Sequence, residues 1–387
     1  MNFSFDLSLG SVVMNGVRRL MAGLENANST ASYALSCAGS LVAYAANTLR
    51  YGCLSGQRAI LVEAGATNLL TYATASATTG WTASSATVTD LDLDALGVFP
   101  GVKIASNGAV WNRLNHTATP NVTSGVSYHL QAFFKFGTSG KLRPTLVNVS
   151  GATETRVDVA VSGNTNALSA AGALSNVTIA AIGSGGVYQL DATFVPNFTG
   201  ALNIGFGPAS AVSGQDVVLL GAQFETGTSG TSFINSAGAS TARAADLVTA
   251  PITADVSAGV RVRGTFCVKV EKDEYNMAFV LDAGTTASRI TMSWQKSTAL
   301  FGVSLFSGGV LQGTYTYSGA ALGDTVEVDL TFTAAAISGS INGDAVSKAL
   351  AGAYTPPTTA RIGHSAGGAS IPGRLLCSKF IVTGVPA

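Results

Sequence analysis

Apolar and polar residues alternate along much of this chain, and that period of two most limits how it can fold. In Tyr128–Gly137, Tyr128, Leu130, Ala132, Phe134 and Phe136 fall on one face, and His129, Gln131, Phe133 and Lys135 on the other. Leu202, Ile204 and Phe206 repeat the pattern, as do Ile290, Met292 and Trp294, and Val326, Val328, Leu330 and Phe332. Successive side chains of a strand point to opposite faces, so the alternation predicts half-buried strands. Short strands separated by closely spaced turn residues predict sandwiches or barrels. One hairpin is nearly explicit. Ala336–Ile341 and Ala345–Leu350 flank Asn342-Gly343, the pair that best supplies positive φ in a two-residue turn. The best helix signal is Val12–Glu25, where Val13, Val17, Leu20 and Leu24 could line one face, and Gly16 and Gly23 weaken it.

Composition removes several function classes. Lys and Arg total 21, Asp and Glu total 21, and charged residues are 11% of the chain, against roughly 25% in an ordinary soluble domain. Nucleic-acid binding needs clustered Lys and Arg, so the balance argues against it. No stretch approaches the roughly 18 uninterrupted apolar residues of a membrane span, and Met1–Gly10 lacks the basic start of a secretory signal and carries Asp6. The apolar fraction of 47% is too high for intrinsic disorder. Three regions follow: a lead-in over 1–54 with little core of its own, a strand-rich region over 55–250, and a second strand set over 251–387 opened by Pro251. No short repeat is visible, which argues against a solenoid or propeller.

The four cysteines are Cys37, Cys53, Cys267 and Cys377. None forms a Cys-x-x-Cys pair, and His116, His129 and His364 are not spaced as co-ligands, so zinc has little support. The expectation is free thiols buried as small apolar groups in a protein assembled in a reducing cytoplasm. A bridge between Cys267 and Cys377, near the two ends of the last region, is the alternative.

Several blocks resemble a known family. They are Ser29–Tyr51 (STASYALSCAGSLVAYAANTLRY), Ile60–Leu70 (ILVEAGATNLL), Gly80–Thr89 (GWTASSATVT), Val187–Phe194 (VYQLDATF) and Gly221–Asp246 (GAQFETGTSGTSFINSAGASTARAAD). In that order they resemble bacteriophage tail-fibre and head-fibre (spike) proteins carrying a carbohydrate-binding-module-like jelly roll. The sequence departs from that pattern at Ala66, where Arg is frequent, at Phe224 for Leu, and at Phe233-Ile234-Asn235 for Tyr-Ile-Pro. Residues 251–387 resemble a concanavalin-like, laminin-G-like sandwich, with Arg361-Ile362-Gly363 as a late short strand and Phe380–Val385 as the closing one. The fold class expected is all-β: two β-sandwich domains, jelly roll then concanavalin-like, after a short lead-in. The resemblance implies a virion protein without catalytic residues that attaches to a host surface polysaccharide. It also implies contacts with other tail or capsid proteins and a homotrimer. The alternatives are a capsid or tail decoration without ligand, and a polysaccharide depolymerase. The lead-in, with Arg18 and Arg19, is the expected virion anchor.

Candidate chemistry is sparse. Gly363-His364-Ser365-Ala366-Gly367 fits a nucleophile elbow, but no Asp, Glu or His follows Ser365. It reads as a glycine-rich turn. Glu63, Glu154, Glu225, Glu271, Glu274 and Glu327 are scattered, and a glycosidase needs two paired carboxyl groups. Glu225 reads as structural. Asp90, Asp92 and Asp94 share one strand face and read as a solvated acidic edge, with a structural calcium as the alternative, and no other cofactor is expected. Sugar rings stack on exposed aromatics. Trp111, beside Asn112, Arg113 and Asn115, is the leading candidate, followed by Tyr315 and Tyr317, while Trp81 and Trp294 read as core.

Overall fold

The structure, a computed structural model, describes residues 3–6, 11–14, 17–19, 25–26, 32–92, 100–183 and 185–385, with side chains from residue 33 onward. The protein is all-β. Among the described residues every regular element is a strand, and the ladders are antiparallel. The strands build two sandwiches, each with its own apolar core.

In the first sandwich, one sheet runs Trp81–Ser84, Arg113–His116, Gly200–Pro208, Leu142–Asn148, Glu154–Ala160, Gly163–Ser169. The facing sheet runs Ala86–Leu91, Gly101–Ser106, Asp216–Thr226, Tyr128–Phe136, Val187–Pro196, Gly172–Ile182. Leu130 and Phe134 from one, and Leu202, Ile204 and Phe206 from the other, meet between them without solvent exposure. In the second sandwich, the central pair is Val260–Val270 against Arg374–Gly384. Phe266, Phe279, Trp294, Phe301, Leu330 and Phe380 fill its core. Asn342 and Gly343 carry φ of 52° and 87° and close the hairpin with Ile341 opposite Asp344. Both central residues of that turn need positive φ, which an Asn-Gly pair supplies at least cost.

Four expectations change. First, the chain does not divide at 54 and 250. Gln57–Glu63 pairs with Arg374–Gly384, and Ile60 and Val62 lie in the second core, as do Val248 and Ala250. The second module is built from both ends of the chain, because its sheet edges accept strands from either side. Second, Ser11–Met14 pairs with Val17–Arg19 as strands, so no helix spans Val12–Glu25; Leu20 and Leu24 lie outside the described residues. Phe3–Asp6 continues that ladder onto Arg374–Gly384, so this stretch of the lead-in adds to the protein's own sheet.

Third, Cys37 and Cys53 form a disulfide, while Cys267 and Cys377 are free and buried. The bridge joins the turn of the hairpin Ser32–Leu35/Leu41–Tyr44 to the strand Arg50–Leu54. Burial pushes both free thiols up, as expected of small apolar fillers. Fourth, the strand Tyr128–Phe136 is covered on both faces, not one. His129 and Gln131 are only 5% and 3% exposed, because the lead-in hairpin and the segment around Phe233 lie over that side. Tyr33 N–H donates to the Phe233 carbonyl at 3.2 Å, and Phe133, Phe233, Leu41 and Ile182 make a small third core there.

The two sandwiches meet at a charged cluster. Arg50 donates to Glu63 at 2.8 Å and through Nε and Nη2 to Asp246. Arg374 reaches Glu63 at 2.8 Å, and Arg243 lies 3.5 Å from Glu63. Ser232 N–H donates to Glu63, and Glu63 N–H donates to Asp246. Arg50, Glu63, Arg243 and Asp246 are buried. Burial would raise the Glu63 carboxyl, but Arg374, Arg50 and Arg243 more than offset it and hold it far below the usual carboxylate range. The cluster ties together three of the family-like blocks, through Arg50, through Glu63 and through Arg243 and Asp246, and adds Arg374 from outside them.

Glu63→Gln should destabilise the protein by about 3–5 kcal/mol, since it leaves three arginines facing Asp246 alone; guanidinium unfolding measures this. A carboxyl depressed on folding contributes stability above its unfolded value near ~4.3 and loses it as pH falls below that value toward the folded one. Unfolding midpoints should therefore drop steeply below about pH 4 in the native protein, and less steeply in the variant. Reduction of Cys37–Cys53 should speed amide exchange over residues 33–54 and leave the two sandwich cores protected, as hydrogen-exchange mass spectrometry would read.

Candidate functional site

The outer face of the sheet carrying Arg113–His116 holds the best arranged polar constellation. Alternation sends Leu114 and His116 inward and Arg113 and Asn115 outward. On the next strand, Leu202, Ile204 and Phe206 point in, which leaves Asn203, Gly205 and Gly207 on the outer side. Arg143 and Thr145 follow, then Glu154, Arg156 and Asp158. The register sets Asn115, Gly205, Thr145 and Arg156 in one row across four strands.

Glycine makes the floor of that row. A Cβ at Gly205 would stand 2.5 Å from Asn115 Oδ1, and one at Gly207 would collide with the Asn112 carbonyl. The neighbouring strand can thus approach closely, and the long side chains lie down over the gap. Glu154 sits between two arginines, 3.1 Å from Arg156 and 4.0 Å from Arg113. The Arg156 guanidinium lies 4.2 Å from the centre of the Trp111 ring, while that indole is 42% exposed. Arg143 grips Asp158 with two bonds of 2.6 and 3.0 Å and donates to the Val110 carbonyl.

Electrostatics divides the two carboxylates. Burial raises Glu154, with Arg156 and Arg113 offsetting only part of the effect. Burial would also raise Asp158, but the bonds from Arg143 and Asn166 outweigh it and hold the carboxyl down. Four residues apart on one strand, they are about 13 Å apart along the backbone at ~3.3 Å per residue, beyond the separation of a glycosidase pair. The face is equipped instead to hold something. Of eight buried side-chain polar atoms without a partner among the described residues, three are on this face, Arg113 Nε, Asn115 Oδ1 and Arg156 Nε, and a fourth, Asn112 Oδ1, is on the residue between Trp111 and Arg113. Buried donors and acceptors are normally paired, so such a cluster marks a place where a ligand or water completes the bonding.

The sequence candidates separate accordingly. Trp111 and Arg113 belong to this face. Asn112 is 4% exposed and serves the fold, its amide donating to Ser106 Oγ and to the carbonyls of Ala109 and Ser210. Tyr317 is withdrawn from the surface, and Tyr315 is half-buried. Tyr317 is buried in the second core and donates to Asp344 at 2.9 Å, and Tyr315 packs against that core. Trp81 and Trp294 are core residues, the latter as its alternation with Ile290 and Met292 predicted. Arg143, Arg156 and Asp158 escaped the sequence reading, although the alternation of Arg156 and Asp158 with Val157 and Val159 was visible, and Glu154 entered it only as one of the scattered carboxylates.

Asp90 and Asp92 are exposed, and Asp90 accepts the Ala77 N–H at 2.7 Å. Asp94 lies outside the described residues. Among the described residues no group of three His, Cys, Asp or Glu is placed to hold a metal ion. In the Gly363–Gly367 turn, both His364 ring nitrogens face backbone carbonyls, those of Ser365 and Val248. Ser365 Oγ donates to the Ala369 carbonyl. The histidine is thus committed away from the hydroxyl. Glu225 is buried and accepts from Thr231 and Gln223, a structural role that holds the segment over the His129 face.

No protein-family model and no curated protein matches the sequence. Among solved structures, the mouse laminin alpha1 chain, domains LG4-5, is similar at 9% identity over 81% of this chain and 88% of that one, with a TM-score of 0.25. The N-terminal CBM22-1-CBM22-2 tandem domain of Paenibacillus barcinonensis Xyn10C is similar at 10% identity over 84% and 99%, with a TM-score of 0.29. At these scores neither likeness bears on what this chain binds.

Gly207→Ala should cost about 1–3 kcal/mol through overpacking against Asn112, whereas Trp111→Ala should change stability by no more than ~0.5 kcal/mol. Urea unfolding of the two variants checks the contrast.

Proposed function

We propose that this protein is a non-enzymatic attachment protein that binds a surface glycan across the outer face of its first sandwich. The observation that carries the reading is the exposed Trp111 ring stacked on Arg156, above a glycine floor where three buried polar atoms lack partners. A pyranose offers one face of C–H groups to an indole and a rim of hydroxyls that both donate and accept. Arg113 Nε and Arg156 Nε would donate to ring hydroxyls, and Asn115 Oδ1 would accept from one. Three arginines against two carboxylates leave the face slightly positive, which suits neutral or acidic polysaccharide.

The finer reading is a virion fibre or spike, located on the particle and joined to tail or capsid proteins. It is supported by the order of the family-like blocks over residues 29–250. In that setting several copies, a trimer in the simplest case, would turn weak single contacts into firm attachment through linked sites. Weak sites are sufficient when they are multiplied, so a shallow face serves the purpose without a deep cleft.

A glycan array with the purified protein tests the central claim. Binding to a subset of polysaccharides should fall at least tenfold in Trp111→Ala and Arg156→Ala, with thermal midpoints little changed in the former. No binding at high valency would instead favour a decoration protein. New reducing ends on host capsule, abolished by changing one carboxylate, would make it a depolymerase.

A further inference from the structure

A cavity of about 400 Å³ lies between the lead-in hairpin, the first sandwich and the C-terminal strand, on a different surface from Trp111. Its size falls within the roughly 300–1,000 Å³ of small-molecule sites. Tyr33, Leu41, Phe133 and Phe233 line one side, and Leu61 and Leu376 the other. Two polar groups stand out among these apolar and aromatic walls.

The first is Gln131. Asp191 accepts from three donors: His129 Nε2 at 2.9 Å, Gln189 Nε2 at 2.7 Å and Gln131 Nε2 at 3.4 Å. A carboxylate only accepts, so it turns the amide nitrogens toward itself and their oxygens away. Gln131 is 3% exposed, and its Oε1 has no partner. A buried acceptor is thereby held ready without a donor, an arrangement that a folded protein rarely leaves unmet. The second is Arg374. Its Nε is fixed on Glu63 at 2.8 Å, and the side chain is 31% exposed at the cavity. Its position is set by the buried charged cluster, and its terminal nitrogens are left to donate.

One acceptor and one forked donor, set among apolar and aromatic walls, are the complement of a secondary amide with a small apolar group. The amide N–H would go to Gln131 Oε1, the carbonyl to Arg374, and a methyl to the Phe133 and Leu41 wall. Polar groups at the cavity margin, Ser36 and Gln189, suit a hydroxylated remainder, and the aromatic rings suit its C–H face. We infer that this cavity binds an N-acetylated amino sugar, held by its acetamido group between Gln131 and Arg374. The site does not depend on the Trp111 face and stands if that face binds nothing.

Calorimetric titration of the full chain with N-acetylglucosamine, glucosamine, glucose and N-acetylalanine amide tests this. Saturable binding of N-acetylglucosamine is expected, with glucosamine and glucose at least tenfold weaker. Gln131→Leu should weaken it at least tenfold. Because that residue is buried, a second variant is needed: Ala181 is exposed and lines the cavity, so Ala181→Trp should fold normally and abolish binding. Trp111→Ala should leave the titration unchanged. The inference is overturned by any of four results. These are no saturable binding up to about 20 mM, where millimolar affinity would be evident, equal affinity for glucosamine, full binding by Ala181→Trp, or loss of binding in Trp111→Ala. N-acetylalanine amide binding as tightly as the sugar would overturn the assignment to a sugar.

Discussion

Arg50, Glu63, Arg243 and Asp246 are held out of water, with Arg374 at their edge, and charges in that situation are tolerated only when they satisfy one another. The five come from four parts of the chain: Arg50 from the end of the lead-in, Glu63 from the strand after it, Arg243 and Asp246 from the link between sandwiches, and Arg374 from the last strand. Any arrangement that separates those parts leaves a bare charge in a low-dielectric space. The cluster therefore acts less as a source of net stability than as a condition on geometry. It specifies how the lead-in, both sandwiches and the closing strand must sit. Its charges do not balance, since three arginines face two carboxylates. The surplus lies with Arg374, the member that reaches solvent.

Coverage of a sheet's outer side is the second shaping feature. In the first sandwich one outer face is roofed by the disulfide-closed hairpin and the Thr231–Asn235 segment, and the other is open. The roofed face carries a polar row in which the buried His129 and Gln131 and the half-buried Gln189 all donate to the Asp191 carboxylate. The open face carries arginines, Trp111 and a glycine floor. Both places leave buried polar atoms without partners, and both do so on paired strands. Rigid strands present such groups at fixed spacing without further ordering on binding, which favours recognition.

How far the sequence could be read depended on the range of the interaction. The Asn342-Gly343 turn was legible because its conformational demand is local. Trp294 was legible because it shares a face with Ile290 and Met292, and Trp81 through its place in a family-like block. Tyr315 and Tyr317 also share a face, yet whether that face looks inward depends on which sheet lies opposite. The expectation of four free thiols failed at Cys37 and Cys53. It rested on chain length and composition, while the bridge depends on a local hairpin that brings residues 16 apart together.

By itself the sequence determined an all-β chain with two sandwich cores, because alternation of period two is written residue by residue and survives any change of partner. It also marked Glu63, Arg243 and Asp246 as parts of family-like blocks without showing what they do. Only the tertiary structure decided that they meet, that Gln57–Glu63 belongs to the second core, and that Arg143 and Arg156 come to Trp111. Those contacts join positions tens to hundreds of residues apart. Strand register and the stacking of sheets set them, and neither is encoded in any short stretch of chain.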